Sequence, residues 1–171
     1  STVATRVDPF SGPCNTLNVT SWWTSQKPYK ETSIIKASVH STDIVFPSCP
    51  TTETLNESNL FHIPFSGPGL SPGYAKFYIF LRDEISGLTG TMSILRPDGS
   101  TYLTWTYNSV SNNNVRAFGW SKLLPTISGT YTFSATYNGI TCSSTFDIDN
   151  PTGISLQDAT SPIIVYPNPS N

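Results

Sequence analysis

Hydrophobic positions alternate with polar ones most clearly in the second half of this chain. Thr130-Tyr-Thr-Phe-Ser-Ala-Thr-Tyr137 puts Tyr131, Phe133, Ala135 and Tyr137 on one side of an extended segment. Asn138-Gly139 follows, the dipeptide that best suits a tight hairpin because both residues tolerate positive φ. The next run, Thr141 to Ile148, turns Cys142, Ser144, Phe146 and Ile148 inward. Upstream, Ala75-Lys-Phe-Tyr-Ile-Phe-Leu-Arg82 is nearly continuous in apolar residues and predicts a central strand. Thr91–Leu95 and Thr101–Tyr107 flank a Pro-Asp-Gly corner at residues 97–99, which predicts another antiparallel pair. Val115–Trp120 adds a sixth strand, and 123–128 reads as an irregular connector. Trp105 and Trp120 fall on strand patterns and are expected in the core.

Before residue 63 the pattern is weaker. Ile34–Val39 and Asp43–Phe46 are short strand candidates, separated by polar and proline-rich runs. No stretch predicts a helix of three turns. The fold class is therefore all-β: an immunoglobulin- or fibronectin-like sandwich of about seven to nine strands. The predicted organisation is an irregular segment at 1–62 packed on the sandwich, the sandwich proper at 63–148, and a linker with an appended motif at 149–171.

Composition fits such a domain. Only 12% of residues are charged, whereas 12% are aromatic, including four Trp and eight Tyr. Neutral Ser and Thr side chains then have to cover the exposed strand faces. The formal charge of −2 with nine scattered basic residues gives no electrostatic footprint for nucleic acid. No apolar run reaches the ~20 residues of a membrane span. The first nine residues lack the basic start and apolar stretch of a signal peptide, so an export signal is expected upstream. The three cysteines, Cys14, Cys49 and Cys142, suggest one bridge and one remaining thiol. Cys14 and Cys49 share the irregular region, where a bridge contributes roughly 3–4 kcal/mol on the chain-entropy view; the alternative is that they stay reduced. Cys142, on an inward strand face, reads as a small apolar residue.

Candidate chemistry is sparse. His40 and His62 are the two histidines, and without a His-x-His pair they read as structural and not as zinc ligands alongside Cys14 or Cys49. No nucleophile elbow between a strand and a helix is predicted, and Ser66-Gly67 and Ser86-Gly87 read as turns. Asp83 and Glu84 are adjacent at a strand end, where both are expected to be solvated. Asp147 and Asp149 share a strand face and form a weak Ca²⁺ candidate, against ordinary exposed charges. Trp22, Trp23 and Tyr29 lie in a polar segment and are candidates to stack on sugar or anchor a partner, against a role as cover for the sandwich edge. No catalytic residue and no cofactor is expected.

Two resemblances add to this. Val165-Tyr-Pro-Asn-Pro169, with Tyr166, Pro167, Asn168 and Pro169, resembles the opening of the C-terminal sorting domain that directs Bacteroidota cargo through type IX secretion. Asp8-Pro-Phe-Ser-Gly-Pro-Cys-Asn15, Ser21-Trp-Trp-Thr-Ser-Gln-Lys-Pro-Tyr29, Phe46-Pro-Ser-Cys-Pro50, Phe80-Leu-Arg-Asp83 and Leu95-Arg-Pro-Asp-Gly99 resemble the segment after the catalytic domain in secreted Bacteroidota lysostaphin-like zinc metallopeptidases of the peptidoglycan-endopeptidase type. That likeness implies a secreted or cell-surface, non-catalytic accessory domain, partnered with a catalytic domain upstream in the same polypeptide. The alternative is a carbohydrate-binding module for cell-wall or other glycan, acting through exposed aromatic rings.

Overall fold

A computed structural model describes Ser11, residues 20–26, Pro28, and residues 30–46 and 56–151. Eight strands form within them: β1 (Ser33–His40), β2 (Leu60–His62), β3 (Tyr74–Glu84), β4 (Thr89–Leu95), β5 (Thr101–Asn108), β6 (Asn113–Leu123), β7 (Gly129–Tyr137) and β8 (Ile140–Asp149). They build two sheets, β1-β3-β6 and β2-β8-β7-β4-β5. The order is the immunoglobulin plan, with β1-β3-β6 in the places of A-B-E and β8-β7-β4-β5 in those of G-F-C-C′. β2 adds itself parallel to β8, Leu60 opposite Asp147 and His62 opposite Asp149. A further mark of this fold is the Tyr131 hydroxyl near the start of β7, which donates to the Ile127 carbonyl at 3.0 Å.

The core lies between the sheets and follows the alternation. β3 contributes Phe77, Ile79 and Leu81, β4 Met92 and Ile94, and β7 and β8 contribute Phe133, Phe146 and Ile148, all buried. Phe77 is central, edge-on to Phe133 at 5.1 Å and to Phe146 at 5.7 Å. Burial of each such ring stabilises by roughly 1.5–3 kcal/mol. The outer face of the five-stranded sheet is hydroxyl-rich: Thr91 pairs across the ladder with Thr106 and Thr136, and Ser93 with Thr104 and Ser134. Strand-forming residues that are polar but uncharged account for the low charge content. The β7–β8 corner carries positive φ at both Asn138 and Gly139, 50° and 75°, the two-residue hairpin geometry expected of this dipeptide.

Of the two strand candidates before residue 63, Ile34–Val39 is borne out as β1 and the other is not. Asp43–Phe46 forms no strand; Asp43 is instead held side-on, its carboxylate accepting from the Tyr78 hydroxyl at 2.9 Å and facing Lys76 Nζ at 2.8 Å. The segment before residue 63 contributes β1, which runs antiparallel to β3, as well as β2. β1 carries a bulge between Ile34 and Lys36, which turns Ile35 out to solvent.

Tyr78 lies across Gly119 of β6, its register partner. A Cβ at residue 119 would stand 2.2 Å from the Tyr78 ring, and the ring cannot retreat while its hydroxyl is tied to Asp43. Gly119→Ala is therefore expected to destabilise the domain by roughly 1–3 kcal/mol, measured by urea unfolding, and Tyr78→Ala in the same chain should relieve the clash.

Candidate functional site

Glu84 closes β3 with its side chain fully buried, where solvation at a strand end was expected. The residue before it, Asp83, has a φ of 47°, and this turn swings Glu84 inward beneath the β5–β6 connection. There four donors converge. The Tyr107 hydroxyl and the Ser109 hydroxyl (2.7 Å) bond one carboxylate oxygen. The Asn113 amide at 2.5 Å and the Arg116 guanidinium at 3.5 Å take the other. Burial pushes the carboxyl up, but these hydrogen bonds and the Arg116 charge outweigh it and hold the group below its ordinary value. Burial and the bond to Glu84 push the Tyr107 phenol up to about 12. An ionised carboxylate with both oxygens occupied is a bracket: it fastens the end of β3 to the loop entering β6. Two open depressions of about 460 and 480 Å³ lie over this end and share Lys30, Asp83 and Asn114.

Trp22 and Trp23, the sequence candidates for ring stacking, are 67% and 45% exposed. The Trp23 backbone N–H donates to the Ser21 hydroxyl at 3.1 Å, and Gln26 exchanges hydrogen bonds with the Ser11 backbone at 2.9 and 2.7 Å. Tyr29 lies outside the described residues, as do Cys14, Cys49 and Tyr166, Pro167, Asn168 and Pro169.

A second aromatic group closes one flank of the sandwich. β5 and β6 are edges of different sheets, and their inward side chains meet across the gap. Tyr107 is 4.9 Å from Phe118, and Trp105 is 5.9 Å from Trp120. Phe118, Trp105 and Trp120 are only partly buried and pack against the core from its rim. Trp105 stacks on Phe133 at 5.8 Å with the planes 5° apart, and Lys122 Nζ sits 4.9 Å over the Trp105 ring. Arg116 stands likewise 5.1 Å from Phe118. The sequence marked Trp105 and Trp120 as core but missed the cations; Arg116 and Lys122 fall on the same strand parity as Phe118 and Trp120, which is the signal that was available.

The remaining candidates separate. His40 is buried on β1, its Nε2 2.7 Å from the Ser38 hydroxyl and its ring edge-on to Tyr78 at 5.2 Å; Nδ1 makes no hydrogen bond of good geometry. Burial lowers its pKa, partly offset by the Glu57 charge. Both Ser38 and His40 are sealed from solvent, so the pair has no approach for a substrate. His62 bonds Asp149 at 2.8 Å, and Asp147 accepts from Thr130 at 2.6 Å. The two aspartates share the outer face of β8 but have separate partners, and among the described residues no three His, Cys, Asp or Glu side chains gather as a metal site. Cys142 faces β1, its thiol 3.5 Å from the Ile34 carbonyl. Among the described residues no helix is long and apolar enough to cross a membrane. Neither the known protein-family models nor the sequences of characterised proteins match this chain.

Proposed function

We propose that this chain is a non-catalytic accessory domain of a larger secreted or cell-surface protein, and that it holds its parent against a glycan surface. The observation that carries the reading is the indole of Trp22, 67% exposed on a polar segment and next in sequence to Trp23. A large apolar ring as open to water as that of Trp22 is unfavourable for a free domain and favourable once a sugar face or a partner covers it. The saturated bracket at Glu84 agrees with a domain built to hold its shape, since a carboxylate with four donors has no lone pair positioned for proton transfer. The resemblance to the segment following the catalytic domain of lysostaphin-like metallopeptidases supports a parent that cuts peptide cross-links in cell wall. In such a parent an accessory glycan contact would concentrate the enzyme on its substrate.

The test is a pull-down of the purified domain on peptidoglycan, together with a glycan array. Trp22→Ala with Trp23→Ala is expected to weaken retention about tenfold or more, since each stacked ring is worth roughly 0.5–1.5 kcal/mol beyond its area. A wild-type domain that binds neither peptidoglycan nor any arrayed glycan overturns the glycan assignment.

A further inference from the structure

The outward face of β1 and β3 carries a sealed histidine. Ala37 and Val39 of β1 turn into the core, so Ser38 and His40 point the other way, opposite Tyr78 and Lys76 of β3. Ser38, His40 and Tyr78 are nevertheless all buried. Among the described residues the link from β1 to β2 supplies cover. Residues 56–58 return alongside β1, with Glu57 bridged to His40 and the Ser58 N–H donating to the Val39 carbonyl at 2.9 Å. Residues 41–46 bring Asp43 onto the side chains of Tyr78 and Lys76.

This strap is fastened mainly by polar contacts. The Asp43 carboxylate accepts from the Tyr78 hydroxyl at 2.9 Å and faces Lys76 Nζ at 2.8 Å. The Asn56 amide donates to the Asp43 carbonyl at 3.3 Å, and the Asn56 carbonyl accepts from the Ser41 N–H at 3.3 Å. Thr42 donates to the Pro68 carbonyl at 3.2 Å. Of the apolar side chains in 41–46, Ile44 is half-buried, whereas Val45 and Phe46 are exposed. A segment with exposed hydrogen bonds and little buried apolar surface opens at lower cost than the core beneath it.

The enclosure suits a neutral imidazole. His40 Nε2 lies 2.7 Å from the Ser38 hydroxyl; Nδ1 makes no hydrogen bond of good geometry, although the Asn56 backbone lies near the ring. An imidazolium brings a second N–H donor, with no well-placed acceptor for it. Its charge would add to those of Lys36 on the same strand and Lys76 opposite on β3. The two carboxylates on this face are already engaged, Glu57 by Lys36 at 2.6 Å and Asp43 by Lys76. We propose that residues 41–46 and 56–58 form an acid-released strap: protonation of His40 opens them from β1 and β3 while the sandwich stays folded, uncovering His40 and Tyr78. The sign follows from burial. The closed form takes the proton less readily than the open one, where the ring meets water, so closure is fully favoured above about 6.5. Below that the open fraction grows about tenfold per pH unit until the closed form protonates too. Asp43 stays ionised in this window, because Lys76 and Tyr78 hold it below the usual carboxylate range.

Native-state hydrogen exchange of the folded domain, from pH 7 to 5.5 and at several low urea concentrations, tests the strap. Protection of the Ser41 and Ser58 amides is expected to fall about tenfold per pH unit below 6.5, through an opening indifferent to low urea. The amides of β4 and β7 should exchange through a urea-sensitive global unfolding. His40→Gln should remove the pH dependence at Ser41 and Ser58, whereas Asp43→Asn should raise their exchange at every pH and keep its slope. Constant protection from pH 7 to 5.5 overturns the proposal. So does an opening that shares the urea dependence of β4 and β7, or a pH dependence that persists in His40→Gln. If that variant fails to fold, the urea-indifferent slope of the wild type and the offset in Asp43→Asn decide the matter.

Discussion

Replacing Glu84 by leucine is expected to cost the domain about 3–5 kcal/mol, which lowers its melting temperature by roughly 10 °C. The side chain is fully enclosed, and its removal takes an acceptor from four donors at once: the Tyr107 hydroxyl, and the Ser109 hydroxyl, Asn113 amide and Arg116 guanidinium, which keep only Ser111 as a second acceptor. The largest part of the cost falls on Arg116, a cation left beside apolar rings without its counter-charge. Glu84→Gln should cost less, because one amide oxygen still accepts from two donors, but the new NH₂ then confronts the remaining ones. The added variant Glu84→Leu with Arg116→Leu should recover part of the loss, since it removes the stranded charge along with its partner. Urea unfolding of the four proteins measures the set. Equal stability of Glu84→Leu and wild type would show that the bracket holds nothing.

Acid should destabilise the domain in two stages, and the sign of each follows from the fold. Burial holds His40 below its ordinary 6.5, so the unfolded chain takes up this proton first as pH falls. Stability from neutral His40 is complete above about 6.5 and declines below it. Glu84 is held below its ordinary 4.5; its contribution is present above that value and is lost as pH falls further. Within each window the loss is about 1.4 kcal/mol per pH unit per group. The charged groups facing His40 come from several elements: Glu57 raises its pKa and Lys36 on its own strand lowers it, while Lys76 is its register partner on β3. His40→Gln should flatten stability between pH 6.5 and 5 and leave the fall below 4.5. A wild-type profile that is flat from pH 7 to 5 would sink the first stage.

The sandwich was legible because its strands are amphipathic with period two. Tyr131, Phe133, Ala135 and Tyr137 are all buried, and the intervening residues face out, as a half-buried strand requires. Asn138-Gly139 and Pro97-Asp-Gly99 were legible because few residues can make those corners. β2 was not, since three residues in parallel pairing carry no periodicity of their own and depend on β8 for their place. Asp43–Phe46 has strand-forming residues, yet its hydrogen bonds with Tyr78 and Lys76 hold Asp43 in an irregular path. Glu84 was hidden for a related reason. Asp83-Glu84 reads as a solvated strand end, and only the positive φ at Asp83, a backbone fact, turns the second carboxylate inward. Trp22 and Trp23 were picked out by their polar context, whereas the Lys122–Trp105 contact joins two strands that do not pair, and the parity Lys122 shares with Trp120 was its one local sign.

The placement of the first and last described strands has a mechanical consequence. Asn138 and Cys142, at the β7–β8 corner, reach Thr32 and Ile34 at the start of β1, whereas β8 ends beside His62 and the residues that open β7. The backbone therefore enters near one pole and departs from the other. Tension between residues 32 and 150 would pull along the strands and load the ladder bonds of β1 and β8 side by side, a shearing arrangement, instead of peeling them apart one after another. A spacer that must hold another body at a distance from a surface under drag is well served by that direction of loading.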